Sequence, residues 1–174
     1  INSSWQINDS ANMNFDAGTS TLDFIGSSYF MGGNLNYNNV NFNDIAMLYD
    51  NNIFNNLSFA AGKTVILFAG STQYINSNLN TTGGCDAFIT MQSSTDGVQA
   101  GFSKALGIVT VDYCRIKDIN VSGGATFNAT NSNDMGNNSG WNFTPPPTTS
   151  FYWIGGTGNW SDAGHWSLSS GGAS

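Results

Sequence analysis

This 174-residue sequence has few charged side chains, and cationic ones above all. Its only cationic side chains besides one histidine are Lys63, Lys104, Arg115 and Lys117, while the acidic side chains are 11 aspartates without a single glutamate, for a net charge of −7. Nucleic-acid binding requires clustered Lys and Arg that displace counterions from phosphates, and an anionic membrane surface attracts the same clusters. The composition therefore excludes nucleic acid and anionic membrane surfaces as partners.

Long apolar runs and prolines are also scarce. No apolar run approaches the roughly 20 residues that a membrane span needs, so membrane insertion is not predicted. The dipeptide Asn-Gly, the strongest short signal for a β-hairpin, is absent although Asn and Gly are both abundant. Because the chain begins at Ile1 and carries no signal peptide, we expect a mature product or an excised piece, with any targeting segment outside it.

The residues that are present favour strands and tight turns. Asn, Gly, Ser and Asp are suited to turns because they tolerate left-handed backbone or hydrogen-bond locally, and Val, Ile, Phe, Tyr and Thr favour strands. Hydrophobic residues make up 40% of the chain, which is enough for a real core. Many short strands joined by many turns indicate an all-β fold.

An internal repeat is the most informative pattern. Residues 15–36 align without gaps on residues 59–80 at an offset of 44, with 9 identities in 22 positions that begin with Phe15 and Phe59. A shorter echo, Asn39-Val40-Asn41-Phe42, resembles Asn56-Leu57-Ser58-Phe59. A gapless repeat of this size indicates a stacked architecture in which each unit packs on its neighbours.

The repeat and the strand-like composition predict a right-handed parallel β-helix over residues 1–143. Each coil would use about half of the repeat, with Phe, Leu, Ile and Val inside and Asn, Ser and Thr outside or in turns. Aligned Asn side chains on successive coils would form hydrogen-bonded ladders. Phe15 and Phe59 would occupy matching places in one continuous interior. A β-sandwich with duplicated hairpins is the alternative architecture.

A proline-rich segment marks a domain boundary. Residues 144–150 contain all three prolines in a row, which forces an extended, semi-rigid spacer. Residues 151–174 then contain three of the five tryptophans, Trp153, Trp160 and Trp166. Because so short a segment cannot bury three indoles alone, we expect it to open a further module of a tandem array.

Two stretches resemble a module of giant secreted surface proteins from Bacteroidetes-type bacteria. Residues 152–162 with His165-Trp166-Ser167 resemble its opening, and residues 112–118, 123–129 and 137–143 resemble its closing part. The resemblance covers about a third of the chain. It implies a very long repeat protein at the bacterial cell surface, exported by a type IX secretion route, with a role in adhesion or gliding motility.

The expected function is therefore a structural or adhesive repeat of a large extracellular protein or filament. Its expected partners are other modules of the same polypeptide and surface glycans or other cell-surface components. The alternatives are a carbohydrate-binding module and a β-helical polysaccharide-active enzyme, and the first expectation implies no catalysis. Copies of the Trp-rich opening in flanking sequence would favour the structural function.

The C-terminal aromatic residues are the candidate binding site. Tyr152, Trp153, Trp160 and Trp166 could form a platform on which sugar rings stack, since flat aromatic faces pack on sugars. The favoured interpretation is a hydrophobic seal between tandem modules, because the spacing fits a folded cap better than an open face.

The charged and titratable residues give weak signals for catalysis. Asp112, Arg115, Lys117 and Asp118 are a local concentration of charge, as a calcium-dependent polysaccharide lyase would need, but a solvated strand edge followed by a turn is the favoured interpretation. No cofactor is predicted; calcium stays an open alternative, since a site needs several converging oxygens. The lone His165 lies near Ser161 and Asp162 without a nucleophile elbow, so we expect a structural role.

The two cysteines leave two alternatives open. Cys85 and Cys114 are 29 residues apart, close to one coil, and adjacent coils are separated by about 4.8 Å, near the lower limit that a disulfide spans. A disulfide there would contribute about 3 kcal/mol in the chain-entropy model. The other alternative is a pair of buried free thiols.

Overall fold

The computed structural model describes residues 1–81 and 83–172, so Thr82 and the last two residues of the predicted 151–174 module lie outside the described residues. The body of the protein consists of sixteen short strands. In chain order they are β1 (Trp5–Gln6), β2 (Thr21–Phe24), β3 (Ser28–Met31), β4 (Asn36–Phe42), β5 (Ala46–Tyr49), β6 (Ile53–Phe59), β7 (Thr64–Leu67), β8 (Thr72–Thr81), β9 (Ile89–Ser93), β10 (Ala100–Lys104), β11 (Ile108–Asp112), β12 (Cys114–Lys117), β13 (Ile119–Gly123), β14 (Thr126–Thr130), β15 (Asn133–Asp134) and β16 (Trp141–Phe143).

The strands form three parallel sheets, of which two run along the body and the third, with three strands, covers only its last coils. One has the order β1-β3-β5-β7-β9-β12-β15, the second β13-β10-β8-β6-β4-β2 and the third β11-β14-β16. Each coil contributes a strand to the first sheet and at least one to the others, and β8 contacts both β10 and β11. All pairings between these sixteen strands are parallel. The parallel β-helix is therefore confirmed, and the antiparallel β-sandwich is not formed.

Equivalent residues on successive coils stack directly. Leu22, Val40, Leu57 and Leu79 lie opposite one another on β2, β4, β6 and β8. The sequence separation between paired positions is 18, then 17, then 22 residues. The shorter echo of residues 39–42 and 56–59 thus identifies the true register, and a coil does use about half of the 44-residue repeat.

The alignment of residues 15–36 on residues 59–80 does not match equivalent positions of the coils. Phe59 stacks on Phe42 inside the coil, with ring centroids 5.7 Å apart. Phe15 precedes β2, lies outside any strand and is only half-buried, against Tyr37. Phe24 is fully buried, but Phe68, its counterpart in the alignment, is 49% exposed. The prediction that Phe15 and Phe59 match is wrong because the first two coils are only 18 and 17 residues long.

One continuous apolar interior fills the coils. Its buried residues extend from Phe24 in the first complete coil to Ala129 in β14. In the first coils aromatic rings stack along the axis: Phe24 and Phe42 have centroids 4.7 Å apart and an interplanar angle of 14°. The later coils combine smaller residues such as Val111 and Ile116 with the buried rings of Phe102 and Phe127. This burial is the main favourable contribution to folding, since the hydrophobic effect scales with buried apolar area.

Amide ladders cover the outside of β2, β4, β6 and β8. Asn39 donates through Nδ2 to Oγ1 of Thr21 at 3.1 Å, Asn56 donates to Oδ1 of Asn39 at 2.8 Å, and Asn78 donates to Oδ1 of Asn56 at 2.7 Å. The predicted Asn ladders are therefore present. We call this surface the polar face; its outward residues are Thr21, Asp23, Asn39, Asn41, Asn56, Ser58, Asn78 and Asn80.

Asparagine and aspartate also form corners of the coils. Left-handed backbone occurs at Asn34 (φ 59°), Asp50 (φ 63°), Asp118 (φ 57°) and Asn137 (φ 52°). Asn and Asp tolerate this conformation better than other side chains because their short polar groups hydrogen-bond locally. The side chain of Asn137 donates to Oδ1 of Asp118 at 2.6 Å, which ties two successive corners together. The abundance of Asn thus serves both the corners and the ladders.

The C-terminal segment is separate in secondary structure from the body. No regular element is assigned between Phe143 and Tyr152, the stretch that contains the three prolines. Beyond it lie β17 (Tyr152–Trp153), a 3-10 helix (Ala163–His165) and β18 (Trp166–Ser167). Within the described residues, no helix is long and apolar enough to cross a membrane.

Candidate functional site

The C-terminal tryptophans are held together by a short antiparallel hairpin. Trp153 on β17 lies opposite Trp166 on β18, and Tyr152 lies opposite Ser167. The connection contains the 3-10 helix, whose first turn is capped by Asp162, since its Oδ1 accepts a hydrogen bond from the backbone N–H of Gly164 at 3.0 Å.

Three of the four predicted platform residues converge in one aromatic cluster. Trp153 stacks on Trp160 with centroids 6.2 Å apart, and the ring of Trp166 meets both edge-on, at 5.3 Å from Trp153 and 4.5 Å from Trp160. Tyr152 is next to Trp153 on the strand, so it points to the opposite side, and it joins none of these ring pairs. Adjacent indoles in such geometries stabilise one another beyond their burial.

The open side of the cluster is an apolar depression. It has a volume of about 620 Å³ and is lined by Phe151, Trp160, Ala163 and Trp166. Trp160 is 78% exposed and Phe151 is 60% exposed. Phe151 was missed by the sequence reasoning, although it directly precedes the Trp-rich run. The walls could accept a flat hydrophobic ring, the apolar face of a sugar or a side chain of a neighbouring module.

His165 is part of the same aromatic cluster. Its ring stacks on Trp153 at 4.6 Å with an interplanar angle of 7°, and its Nδ1 lies 3.2 Å from the carbonyl oxygen of Ile154. Its Nε2 lies 3.7 Å from a carboxylate oxygen of Asp162. No hydrogen bond joins Ser161 to His165 in the part of the chain that the structure describes. These contacts give His165 a role in holding the hairpin together.

The four charged residues of the predicted cluster do not converge. Asp112 accepts hydrogen bonds from Thr130 and Asn131, at 2.8 and 2.9 Å. Lys117 pairs instead with Asp96 at 2.8 Å, and this hydrogen bond raises the pKa of the lysine. The arrangement is that of residues spread around one coil.

The remaining two members are equally separate. The guanidinium of Arg115 lies over the ring of Phe88, 4.7 Å from its centre, on the outer surface of the first sheet. Asp118 is buried at a corner, where Asn137 donates to one of its carboxylate oxygens. Among residues 1–81 and 83–172, no three His, Cys, Asp or Glu side chains lie close enough to hold a metal ion.

A disulfide between Cys85 and Cys114, one of the two alternatives, is not formed. Both cysteines are free; Cys85 is exposed and Cys114 is buried. Cys114 begins β12 and lies opposite Ile89 on β9. Cys85 precedes Ile89 in the connection between β8 and β9, so it does not lie opposite Cys114. Burial raises the pKa of the Cys114 thiol to about 12. The alternative of two buried thiols therefore holds for Cys114 only.

A second surface, also missed by the sequence reasoning, lies on the outside of the first sheet. Its outward residues are Tyr29 and Met31 on β3, Met47 and Tyr49 on β5, and Ile66 on β7 with Phe68 directly after it. We call these six residues the apolar face. The signal was available in the sequence, since these strands are apolar at both alternating sets of positions, as strands buried on both sides are.

Two surfaces therefore stand out as candidates for binding: the tryptophan depression of the C-terminal hairpin and the apolar face of the body. Both are uncharged, and neither contains a nucleophile with an adjacent base. Comparisons of the chain with models of protein families, with curated proteins and with solved structures find no match.

Proposed function

We propose that the chain is a structural and adhesive repeat of a large extracellular cell-surface protein, in which the stacked coils form a stiff stalk segment. The observation that supports this function best is the uninterrupted parallel stack, whose apolar interior runs from Phe24 to Ala129. The resemblance of residues 152–162 and 165–167 to the opening of a surface-protein module supports the extracellular placement.

The stack suits a stalk because each coil is held by its neighbours along the whole body. Backbone ladders and amide ladders both run along the axis, so bending would break many hydrogen bonds at once. A repeat architecture can be extended by adding units without a new core. Many weak contacts, one or a few per unit, then combine by avidity into firm adhesion.

Adhesion by beads that carry the chain tests this function. Beads coated at increasing density are placed under flow on films of a neutral and of an acidic polysaccharide, beside beads that carry an unrelated acidic protein. We expect retention on at least one film to rise more steeply than in proportion to coating density, as avidity requires. Retention equal to that of the control protein at all densities would contradict the adhesive function.

The same polysaccharides distinguish the stalk from an enzyme. A hydrolase or lyase would release new reducing ends during long incubation with the chain, and a lyase would also release unsaturated products. We expect neither product, because the four charged residues around β12 each contact a different partner. Accumulation of either product in proportion to protein concentration would overturn the proposal in favour of catalysis.

Glycan binding at the tryptophan depression is a second candidate, favoured by the exposure of Trp160. Its ring packs on Trp153 and Trp166, yet 78% of the residue remains accessible. The Trp160→Ala substitution should then abolish binding to a glycan array, while Leu168→Ala, at another exposed apolar residue (70%), should leave binding unchanged. Equal binding by both variants and the parent chain would reject this candidate and leave the tryptophans as a seal between modules.

A further inference from the structure

A polar notch interrupts the outer surface of the second sheet where it passes from β8 to β13. Thr72 on β8, Gly101 on β10 and Asn120 on β13 lie opposite one another on three successive coils. Because Gly101 has no side chain, the middle position is the floor of a depression of about 280 Å³. Ser71 and Gln99 complete its walls. The amide ladder of the polar face has a side chain on each successive coil, whereas this row lacks its middle one.

Glycine is required at the floor of the notch. A Cβ at position 101 would lie 2.8 Å from the backbone carbonyl oxygen of Asn120 and 3.7 Å from Oγ1 of Thr72. The first distance is too short for a carbon and an oxygen that are not bonded, so any side chain would push two coils apart as well as fill the notch. The opening is therefore built into the backbone, and the strands that carry its two flanking side chains are about 10 Å apart, two strand spacings.

Two side chains that flank the notch have free hydrogen-bonding groups. The backbone N–H of Thr72 donates to Oδ1 of Asn51 at 2.8 Å, but the Thr72 hydroxyl has no protein partner among residues 1–81 and 83–172. The side-chain amide of Asn120 has no protein partner in that part of the chain either. A hydroxyl and an amide each donate and accept hydrogen bonds. The notch therefore offers donors and acceptors together, which suits a ligand with several hydroxyl groups.

None of the described residues that line the notch is charged, although two charged side chains lie nearby in sequence. Asp118, two residues before Asn120, is buried at its corner and accepts from Asn137 at 2.6 Å. Lys104, three residues after Gly101, donates through Nζ to two backbone carbonyl oxygens of β8, at 2.9 and 2.6 Å. A charged ligand of either sign would lose water without meeting an opposite charge in the lining, which is unfavourable. The notch therefore suits a neutral ligand.

An exposed aromatic ring adjoins the notch. Tyr74 is two residues beyond Thr72 on β8, so it points to the same outer side, about 7 Å along the strand. It is 43% exposed and joins no ring pair within the described part of the chain. Ser103 on β10 lies opposite it, and Ser122 on β13 lies opposite Ser103. A pyranose ring has hydroxyl groups on its edge and apolar C–H groups on its face, so polar groups beside an uncovered aromatic ring match both parts of a sugar.

We propose that the notch binds one uncharged pyranose ring of a glycan, whose hydroxyl groups bond to Thr72 and Asn120 while the next sugar of the chain stacks on Tyr74. A volume of about 280 Å³ is just below the roughly 300–1,000 Å³ of sites for drug-sized ligands, so the notch holds a single ring. The inference rests on the proposed adhesive function and deepens it, because it names a surface and a ligand class. One site of this size binds weakly, and tandem units would make the contact firm.

NMR titration of the 174-residue chain tests the proposal with D-glucose, D-galactose, D-mannose, N-acetyl-D-glucosamine, cellobiose and lactose, each up to about 100 mM, far above the Kd of a weak complex. We expect at least one sugar to shift the backbone amide signals of Thr72, Gly101 and Asn120. Thr72→Val and Asn120→Ala should each weaken binding roughly three- to tenfold, because each removes hydrogen bonds to the sugar. Tyr74→Ala should weaken the binding of disaccharides more than that of single sugars.

Matched controls change the same residue types away from the notch. Thr110→Val alters an exposed position of β11, and Tyr29→Ala removes a 52% exposed ring from the first sheet. Neither should change the affinity for any sugar. Circular dichroism confirms that each variant folds. D-Glucuronate should bind no better than D-glucose, because the lining has no cation to pair with its carboxylate.

Four results would overturn the proposal. These are the absence of shifts at the notch with every sugar, shifts confined to the C-terminal tryptophans, equal weakening by Thr72→Val and Thr110→Val, and tighter binding of D-glucuronate than of every neutral sugar. Failure of the bead adhesion test with sugar binding at the notch intact would count against the proposed function alone. Intact adhesion without shifts at the notch would count against this site alone.

Discussion

The polar face and the apolar face are two sides of one coil with the same backbone. On both faces side chains of similar polarity lie opposite one another on successive coils. On the polar face the amides satisfy one another: Asn56 accepts from Asn78 and donates to Asn39. On the apolar face Tyr49 and Phe68 cover only part of each other. Stacking therefore satisfies the hydrogen-bonding groups of the polar face but leaves part of the apolar face exposed to water.

The largest effect should come from the interior that both faces share. Phe42 is buried, and its ring stacks between those of Phe24 and Phe59. Phe42→Ala should lower the free energy of unfolding by about 3–5 kcal/mol through lost burial and a cavity. Denaturant unfolding measures the loss, with Ile108→Ala, at a 70% exposed residue, as the control. A loss no larger than that of the control would show that this column is not packed as described.

The next largest effect is a difference in the unfolding free energy that substitutions on the two faces cost. Asn56→Ala removes one hydrogen bond given and one received on the polar face, so it should cost about 1–2 kcal/mol of unfolding free energy. Ile25→Ser, beside the apolar face, should stay within about 0.5 kcal/mol, because that residue is mostly exposed. Both values come from denaturant unfolding at a concentration where the chain is monomeric. A larger loss of unfolding free energy in Ile25→Ser than in Asn56→Ala would contradict the comparison of the two faces.

A smaller effect belongs to the ion pair at the corner between the two faces. The hydrogen bond from Lys63, followed by that from the backbone N–H of Ile45, lowers the pKa of Asp44 below its ordinary value of 3.8. A carboxylate with a lowered folded-state pKa stabilises the fold above its unfolded-state pKa, and this contribution is lost as the pH falls through the folded-state pKa. Lys63→Gln should therefore reduce the loss of stability between about pH 6 and about pH 3.

The pH prediction is checked by unfolding the parent chain and the Lys63→Gln variant at both pH values. Lys104→Gln is the matched control, since Lys104 donates to the carbonyl oxygens of Asn76 and Ser77 rather than to a carboxylate. Only Lys63→Gln should flatten the dependence on pH. An identical dependence in all three proteins would show that the corner pair contributes nothing.

The rates at which the two thiols are alkylated should reflect how deeply each lies in the stack. Cys85 precedes β9 and Cys114 begins β12, both in the first sheet. Cys114 is buried, with a pKa raised to about 12, whereas Cys85 is exposed. Alkylation near neutral pH should modify one thiol at once and the second only on unfolding. Cys85→Ser should remove the fast reaction and Cys114→Ser the slow one. Rapid modification of both thiols in the folded chain would place Cys114 near the surface.

The fold class could be predicted from the sequence because the local signals agree. Alternation in segments such as residues 39–42 and 56–59 indicates strands with one face inside, and abundant Asn fits both left-handed corners and ladders. The exact register could not be predicted from the longer repeat. In a chain rich in Asn, Gly and Phe, identities recur by composition, and the 44-residue alignment set an interior residue, Phe24, against an exterior one, Phe68.

The candidate sites were harder to predict because coil length varies. Thr72 and Gly101 are neighbours across a ladder although 29 residues separate them, whereas the separation is 14 between Phe127 and Trp141 and 17 between Asn39 and Asn56. The insertion before β9 shifts Cys85 away from Cys114, so a separation of 29 residues did not place them together. The tryptophan cluster was predictable because its members are close in sequence. The apolar outward positions of single strands were visible in the sequence, but their assembly into one apolar face also required the register of three coils.

The register of the coils is the claim on which both faces depend, and engineered disulfides test it most directly. In a Cys85→Ser, Cys114→Ser background, Asn41→Cys with Ser58→Cys should oxidise readily, because these positions are paired on adjacent coils. Asn41→Cys with Asn80→Cys should not, because Asn80 pairs with Ser58 and so lies two coils, about 10 Å, from Asn41. A disulfide in the first pair and none in the second is the predicted result; the opposite pattern would contradict the stack described here.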